Sequence, residues 1–439
     1  MTLAILADDL TGACDSSAPF ARRGLATRVL LAPRPVAIRQ ADPVDVIAVD
    51  ADTRRLSRRI AVSRTIVAAQ ALRTPETARL FKKVDSTLRG HVGPEILACL
   101  REWDLPLALL CPAFPATGRW VQGGEIFVDG RGSLGTVAAL AGLPSDRRTG
   151  QIDLATVKAG VDAVEDALGR LGTAGTRVVV ADADTPGHLT TLVEAAARYP
   201  RPVLLAGAGG LASALAEWII QGRTPGGAGV ASPDAAGRSA ETASFSTRDE
   251  EGPPWLVVAG SQTEVTHHQV VELARAGAEV LELDVDELLA RPSVAVRAGR
   301  RAAALLREDV TPVVRLVVSA GSEGVRSRGH RLDELAARAL ARACRTAVAA
   351  TMPGGLLLTG GSTARACLLA LGVSGLRLER EPLPGIAAGV AIGGVWDGRL
   401  VITKAGGFGV PDAMRRLVRP RSPRRISLLT ARSALPVAW

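Results

Sequence analysis

The sequence predicts an α/β protein of two domains, each a mainly parallel sheet flanked by helices. Three observations carry this. Short apolar runs alternate with helix-length segments along most of the chain, the pattern of parallel strands joined by helical crossovers. Many of those runs end in Gly, Ser, Thr or Asp just where a helix would start, as strand-to-helix turns do. Residues 222–254 then change texture: Gly, Pro, Ser, Ala, Thr and charges dominate, which reads as a linker or surface insertion. The expected domains are 1–221 and 255–418, followed by a basic tail at 419–439.

In order, Leu3–Ala7 reads as a strand, and Asp8-Asp9-Leu10-Thr11-Gly12-Ala13 opens a helix to about Arg23. Thr27–Leu31 and Val44–Val49 read as strands; the polar turn Asp50-Ala51-Asp52-Thr53-Arg54 leads to a helix from about Ser57 to Leu72. Ala78–Val84 is the next strand. Asp85, Ser86 and Thr87 offer capping side chains after it, and Gly90 and Gly93 bend the chain. Pro94-Glu95 suits the first turn of a helix to about Arg101. Leu107–Cys111 is a strand entering a breaker-rich loop that ends at Arg119, and Gly123–Asp129 looks like part of a hairpin. Arg177–Ala181 and Val203–Ala206 are further strands, the second running into a helix to about Ile220. In the second half Trp255–Ala259, Val280–Leu283, Val313–Val318, Gly355–Thr359 and Leu400–Thr403 read as strands. Helices are expected from about Val265 to Ala276, from Leu332 to Ala350, and after Gly360.

Composition narrows the function. No apolar run of membrane-spanning length free of charges or breakers appears, so no membrane partner is expected. The first residues lack a basic n-region and read as a strand, which points to a cytoplasmic protein. Cysteines at 14, 99, 111, 344 and 367 are scattered, as reduced thiols are. His267-His268 are adjacent, so on a helix they point apart and share no metal; no set of metal ligands emerges. The net charge of +9 is spread as arginine through a chain with 3% aromatics, which does not suit nucleic acid. Among 53 Lys+Arg, lysine occurs only at 82, 83, 158 and 404. A lysine retained in such a chain serves as a compact point charge that the arginine fork cannot imitate.

Lys82, Lys83, Asp85, Ser86 and Arg89 crowd one strand-to-helix turn, where open α/β sheets bind ligands. With Asp8, Asp9 and Arg54 on neighbouring turns, they suit a small carboxylate-bearing polyol. Asp8, Asp9 or Asp85 could accept a hydroxyl proton. In the second half Gly260-Ser261, Gly360-Gly361-Ser362-Thr363 and Gly406-Gly407 beside Lys404 follow strands. Such turns present bare N–H groups to phosphate. A rival signal, Gly207-Ala208-Gly209-Gly210-Leu211-Ala212, matches a dinucleotide fingerprint but lacks the acid expected about 20 residues on. The alternatives are therefore an NAD(P)-dependent hydroxy-acid dehydrogenase and a non-catalytic sugar-acid sensor.

As a set, these motifs resemble the four-carbon acid sugar kinase family over nearly the whole chain. Asp8-Asp9-Leu10-Thr11-Gly12-Ala13, Lys83–Gly90, Pro112–Arg119, Gly360-Gly361 with Thr363-Ala364, and Lys404 with Gly406-Gly407-Phe408-Gly409 occur in family order. The resemblance implies an N-terminal sugar-acid domain and a C-terminal nucleotide domain. It implies ATP, with Mg2+, phosphorylating acids such as threonate, erythronate or 3-oxo-tetronate. Carried over, Ser261, Gly360 to Thr363, Gly406 and Gly407 would contact ATP. Asp8, Asp9, Arg54, Lys82, Lys83, Asp85, Ser86 and Arg89 would serve the acid. Lys404 would stabilise charge, with Asp8 or Asp85 as the base. Related domains are compatible with a homodimer. Three positions depart from the pattern: Ser362 stands where the family has an acid, Pro384-Gly385-Ile386-Ala387 replaces PG-x-P, and Ala405 stands for Ser or Pro.

Overall fold

The computed structural model describes residues 2–32, 44–223, 253–318 and 329–418. Most of the expected linker (222–254) and all of the expected tail (419–439) lie outside the described residues. The first half contributes β1 (Thr2–Ala7), β2 (Thr27–Leu30), β3 (Val46–Asp50), β4 (Thr77–Lys83), β5 (Leu107–Cys111), β6 (Arg119–Gln122), β7 (Glu125–Val128), β8 (Gly132–Thr136), β9 (Thr149–Ile152), β10 (Val178–Ala181) and β11 (Val203–Gly207). The second contributes β12 (Leu256–Ala259), β13 (Glu279–Asp284), β14 (Pro312–Val317), β15 (Leu356–Thr359), β16 (Gly375–Leu383), β17 (Ile386–Ile392) and β18 (Leu400–Lys404).

Strands β3, β5, β12 and β15 are buried at every position. Continuous apolar runs are what parallel strands covered by helices on both faces require. The first-half order β2-β3-β1-β4-β11-β5-β10-β9 is parallel throughout. So is β13-β14-β12-β15-β18 in the second half. The expected hairpin near residue 123 is part of a separate three-stranded antiparallel sheet, β6-β7-β8.

The two large sheets are continuous. β16 and β17 form an antiparallel hairpin; β17 pairs with β18, and β16 pairs with β2 from the other half. The result is one 15-stranded sheet. No strand was expected over residues 375–392. Two of its glycines mark close backbone approach: a β-carbon on Gly375 would come within 2.6 Å of the Val29 carbonyl oxygen, and one on Gly389 would overlap the Arg377 carbonyl oxygen. β9 and the helices Val161–Thr173 and Val294–Arg307 were also not anticipated.

In each half, connections leave two adjacent central strands in opposite directions along the sheet: β1 and β4 in the first, β12 and β15 in the second. A crevice opens beyond the carboxyl ends of strands at such a switch point. Between the two crevices runs the helix Leu10–Arg22, buried from Leu10 to Ala21 and packed on β1, β2 and β3 as well as β16, β17 and β18. Small residues on all sides (Gly12, Ala13, Cys14, Ser16, Ser17, Ala18) let both halves close on it.

Candidate active site

The first-half crevice is built on one guanidinium. Arg54 Nε and Nη2 each donate to Asp8 at 2.8 Å, and Nη1 donates to Asp9 Oδ2 at 2.7 Å. Nη1 also lies 3.5 Å from Asp85 Oδ2. Asp85 in turn is clasped by Arg89 through Nε (3.0 Å) and Nη2 (2.7 Å), and by the Thr87 amide and hydroxyl. Burial opposes the charge on Asp8 and on Asp85. The Arg54 guanidinium outweighs it, helped at Asp85 by Arg89, so Asp8 is held below and Asp85 well below the usual carboxylate range. Two non-glycine residues adopt left-handed backbone in these turns, Asp52 (φ 50°) and Leu88 (φ 62°). Backbone strain of this kind concentrates where side chains must be aimed.

The second-half crevice is made of backbone. Gly360 ends β15 at φ 97° and starts the helix Gly361–Ala370. Gly260 packs against Thr363, and Gly406 against Ser261, so closely that a β-carbon on either would overlap its neighbour. The Thr263 and Thr266 hydroxyls donate to the Gly406 carbonyl at 2.8 and 2.9 Å. A cavity of about 530 Å³ opens beside Ser362, walled by residues that include Asp52, Arg55, Arg342 and Arg365.

The two crevices meet. A β-carbon on Gly361 would overlap Asp9 Oδ2 and lie 3.1 Å from Thr11 Oγ1. Asp9 caps its own helix by accepting from the Gly12 amide at 2.8 Å. Its carboxylate thus sits at the N-terminus of the helix Gly361–Ala370. One turn along that helix, Arg365 reaches Asp50 Oδ2 at 2.7 Å and Asp52 Oδ2 at 3.2 Å in the other half. Burial nevertheless pushes the Asp50 carboxyl up to about 7.

This arrangement has relatives. Family models described as a sugar-binding N-terminal domain and a nucleotide-binding C-terminal domain match residues 3–215 and 256–414. A D-threonate kinase of Cupriavidus necator is 34% identical over 94% of this chain and 96% of its own. A D-threonate kinase of Bordetella bronchiseptica is 32% identical over 97% of this chain and 98% of its own. A D-erythronate kinase of Heliobacterium modesticaldum is 31% identical over 93% of this chain and 94% of its own. This chain belongs to the four-carbon acid sugar kinase family. As a member it is a sugar-acid kinase. A solved Salmonella typhimurium protein described as a putative tRNA synthase shares the fold, with a TM-score of 0.73 at 21% identity over 95% of this chain and 99% of its own.

Within this kinase the expected site residues divide. Asp8, Asp9, Arg54, Asp85, Ser86 and Arg89 gather at the β1–β4 crevice, and Ser261, Gly360 to Thr363, Gly406 and Gly407 at the β12–β15 crevice. The lysines do not fit the roles expected of them. Lys82 Nζ is 2.9 Å from Glu95 Oε2, with both side chains 1% exposed, and also donates to the Lys83 and Leu6 carbonyls. It has no donor to offer a substrate carboxylate. Lys83 is likewise buried, donating to the Val84 carbonyl at 2.8 Å and lying 3.6 Å from Asp15. Lys404 Nζ donates to the carbonyls of Ala405, Gly406 and Phe408 at 2.9, 3.2 and 3.0 Å. It is fully buried, and burial pushes its amine down to about 7. It shapes the glycine turn from beneath.

The rival fingerprint has a packing explanation. β-carbons on Gly207, Gly209 and Gly210 would meet the Cys111 carbonyl, the Phe114 ring and the Ala113 carbonyl within 2.5 to 2.7 Å. These glycines seat a helix against the β5 loop. His267 is engaged by Arg315 at 2.7 Å, and among the described residues no group of three metal-ligating side chains occurs. Sequence reasoning missed Glu95, Asp15 and Arg365. Only Arg365 carried a signal, its place four residues after Gly361 on the same helix face.

Proposed function

We propose that the protein transfers the γ-phosphoryl group of ATP to the terminal hydroxyl of a four-carbon sugar acid such as threonate, erythronate or 3-oxo-tetronate. The observation that carries this is the abutment of Gly361 on Asp9, an open helix N-terminus against a carboxylate cluster. A phosphate resting on the N–H groups of Gly361 and Ser362 lies within reach of a hydroxyl bound at Asp9. The cavity beside Ser362 has the size of a small-molecule site and would take the nucleoside.

Each first-half group then has a role. Arg89 is 66% exposed and keeps Nη1 free of Asp85, so it would receive the acid's carboxylate, with Ser86 beside it. Asp8 and Asp85 stay ionised and accept hydrogen bonds from the polyol. Asp9, nearer the glycine turn than either, would orient the attacking hydroxyl and take its proton. This moves the base from Asp8 or Asp85 to Asp9. Lys82, Lys83 and Lys404 act as positioning residues.

Mg2+ fits this donor set. Kinase Mg2+ is held by one or two carboxylates and otherwise by phosphates and water. The ionised Asp8, next to Asp9 at the phosphate turn, would be the carboxylate to hold it, leaving Asp9 for the hydroxyl. When bound it would neutralise phosphate charge during transfer. Transfer of this kind rests on positioning and charge stabilisation more than on a strong base.

The test is ADP release with Mg-ATP over a panel of C4 to C6 sugar acids, with NAD(P) reduction followed in parallel. Acid-dependent ADP release, greatest with a four-carbon acid, is expected. ATP binding without turnover on any acid, or reduction of NAD(P), would overturn the proposal. Gly361→Val should abolish ATP binding while sugar-acid binding persists, read by calorimetry of each ligand alone.

A further inference from the structure

The site holds one more guanidinium. Arg119 begins β6 in the first half and reaches across to the second. Its Nη2 donates to the Gly407 carbonyl at 3.2 Å, and Nη1 donates to the Thr117 carbonyl. Its guanidinium carbon lies 4.9 Å from the centre of the Phe408 ring, which meets the Phe114 ring edge-on at 5.8 Å. Its Nε is buried without a hydrogen-bond partner.

Arg119 differs from the other arginines of the site in its charge balance. Arg54 is matched by Asp8, Asp9 and Asp85, Arg89 by Asp85, and Arg365 by Asp50 and Asp52. Among the described residues no carboxylate lies within ion-pair distance of Arg119. Asp85 attracts it only from beyond ion-pair distance, and burial still outweighs that attraction, so an anion bound beside Arg119 relieves the cost. The neighbouring surface suits an anion: a β-carbon on Gly407 would sit 3.5 Å from Arg119 Nη2, and this turn adjoins the Gly361 turn through Ser261, which packs on both Gly406 and Gly360. The Phe114–Phe408 contact fixes the approach, because Phe114 comes from the loop that carries Arg119 and Phe408 from the turn it covers.

We propose that Arg119 is a catalytic residue, a guanidinium supplied by the sugar-acid half to the phosphoryl group bound on the nucleotide half. This rests on the kinase reading above. In the step, the substrate hydroxyl oxygen bonds to the γ-phosphorus and the bond from that phosphorus to the β,γ-bridging oxygen breaks. The bond's electron pair leaves with ADP, and the hydroxyl proton passes to Asp9. Arg119 exchanges no proton. It donates hydrogen bonds to the γ-phosphoryl oxygens, where charge is spread in the transition state. Since Arg119 and Gly407 come from different halves, the seam that joins the halves sets where the cation sits.

The experiment compares the natural protein with Arg119→Met, whose side chain keeps an apolar stem over Phe408, and Arg119→Ala. The expected result is a kcat lower by about a thousandfold in Arg119→Met, the scale of losing a phosphoryl-binding arginine. ATP affinity measured without the acid should stay within roughly threefold. Guanidinium ion added to Arg119→Ala should restore turnover saturably, which a packing defect would not permit. A kcat in Arg119→Met within about threefold of the natural protein would overturn the proposal. So would parallel loss of kcat and ATP affinity with no guanidinium rescue. Absence of acid-dependent ADP release by the natural protein would remove the kinase reading and this role together, whereas an active natural protein with an undiminished Arg119→Met removes the role alone.

Discussion

The rarity of lysine in this chain marks structure. Lys82, Lys83 and Lys404 are each buried and each donates to backbone carbonyls; Lys158 is exposed. A compact ammonium can satisfy carbonyls converging from several directions, which a planar fork cannot. Composition therefore singled out these residues but could not tell a ligand from an internal tie, because the Lys82–Glu95 pair forms only when the helix Val92–Glu102 folds back on β4. Lys82→Met leaves Glu95 buried and unpaired, and should cost about 3–5 kcal/mol of stability. Adding Glu95→Leu should recover most of this, as followed by urea unfolding. Asp15 offers a second check. Its Oδ1 has no hydrogen-bond partner, and burial raises its pKa from 3.8 to about 7 against the pull of Lys83. Between those values the folded protein keeps a proton that the unfolded chain has released, so this group's contribution falls as pH rises through the window. Asp15→Asn, neutral throughout, should match the natural protein near pH 4 and gain on it progressively up to pH 7. A constant difference in urea midpoint would dismiss the assignment.

At the scale of elements, strands with nearly continuous apolar runs were legible, since burial on both faces dictates their composition. β5 lies where the sequence places it, and β1, β12 and β15 shift only at their ends. The β16–β17 hairpin was not legible. β16 buries Leu376 and Leu378 and exposes Arg377 and Glu379, an alternation that suits a strand, but the run is short and passes into charges and Pro382, while Gly389 interrupts β17. In the site, the acid turns, Arg54 and the Gly361 turn could each be named from the sequence, while which of them touch could not, because they come from distant segments. The hairpin is the seam between the halves, with Gly375 to Leu378 paired antiparallel to Leu30 to Thr27. Gly375→Val would drive a side chain into the Val29 carbonyl. The seam should then open, giving early exchange of the β2 and β16 amides while β5 and β10 stay protected. Unchanged exchange across β2 would show that the pairing is dispensable.

For the whole molecule, the consequence of one sheet and one shared helix is that the two proposed ligand sites are joined through one framework. The β1–β4 crevice and the β12–β15 crevice both border the N-terminus of the helix Leu10–Arg22, and Arg365 joins the nucleotide-side helix to Asp50 and Asp52 beside Arg54. On the proposed function, an acid that fixed the Arg54 cluster would present a preset surface to the nucleotide. Linkage makes the effect reciprocal: if a non-hydrolysable ATP analogue tightens acid binding by some factor, the acid must tighten the analogue by the same factor. Couplings of this kind are typically about 1–3 kcal/mol. Arg365→Ala cuts the ion pairs to Asp50 and Asp52 while leaving the Gly361 turn and the Arg89 clasp in place. Both enhancement factors should fall together towards one. Arg365 also walls the cavity proposed for the nucleoside, so the analogue's own affinity should fall too, and the coupling is read from the ratio of affinities with and without the other ligand. Calorimetric titration of each ligand, with and without the other, measures all four affinities. Undiminished coupling in Arg365→Ala would place the communication instead in direct contact between the two bound ligands across Asp9 and Gly361.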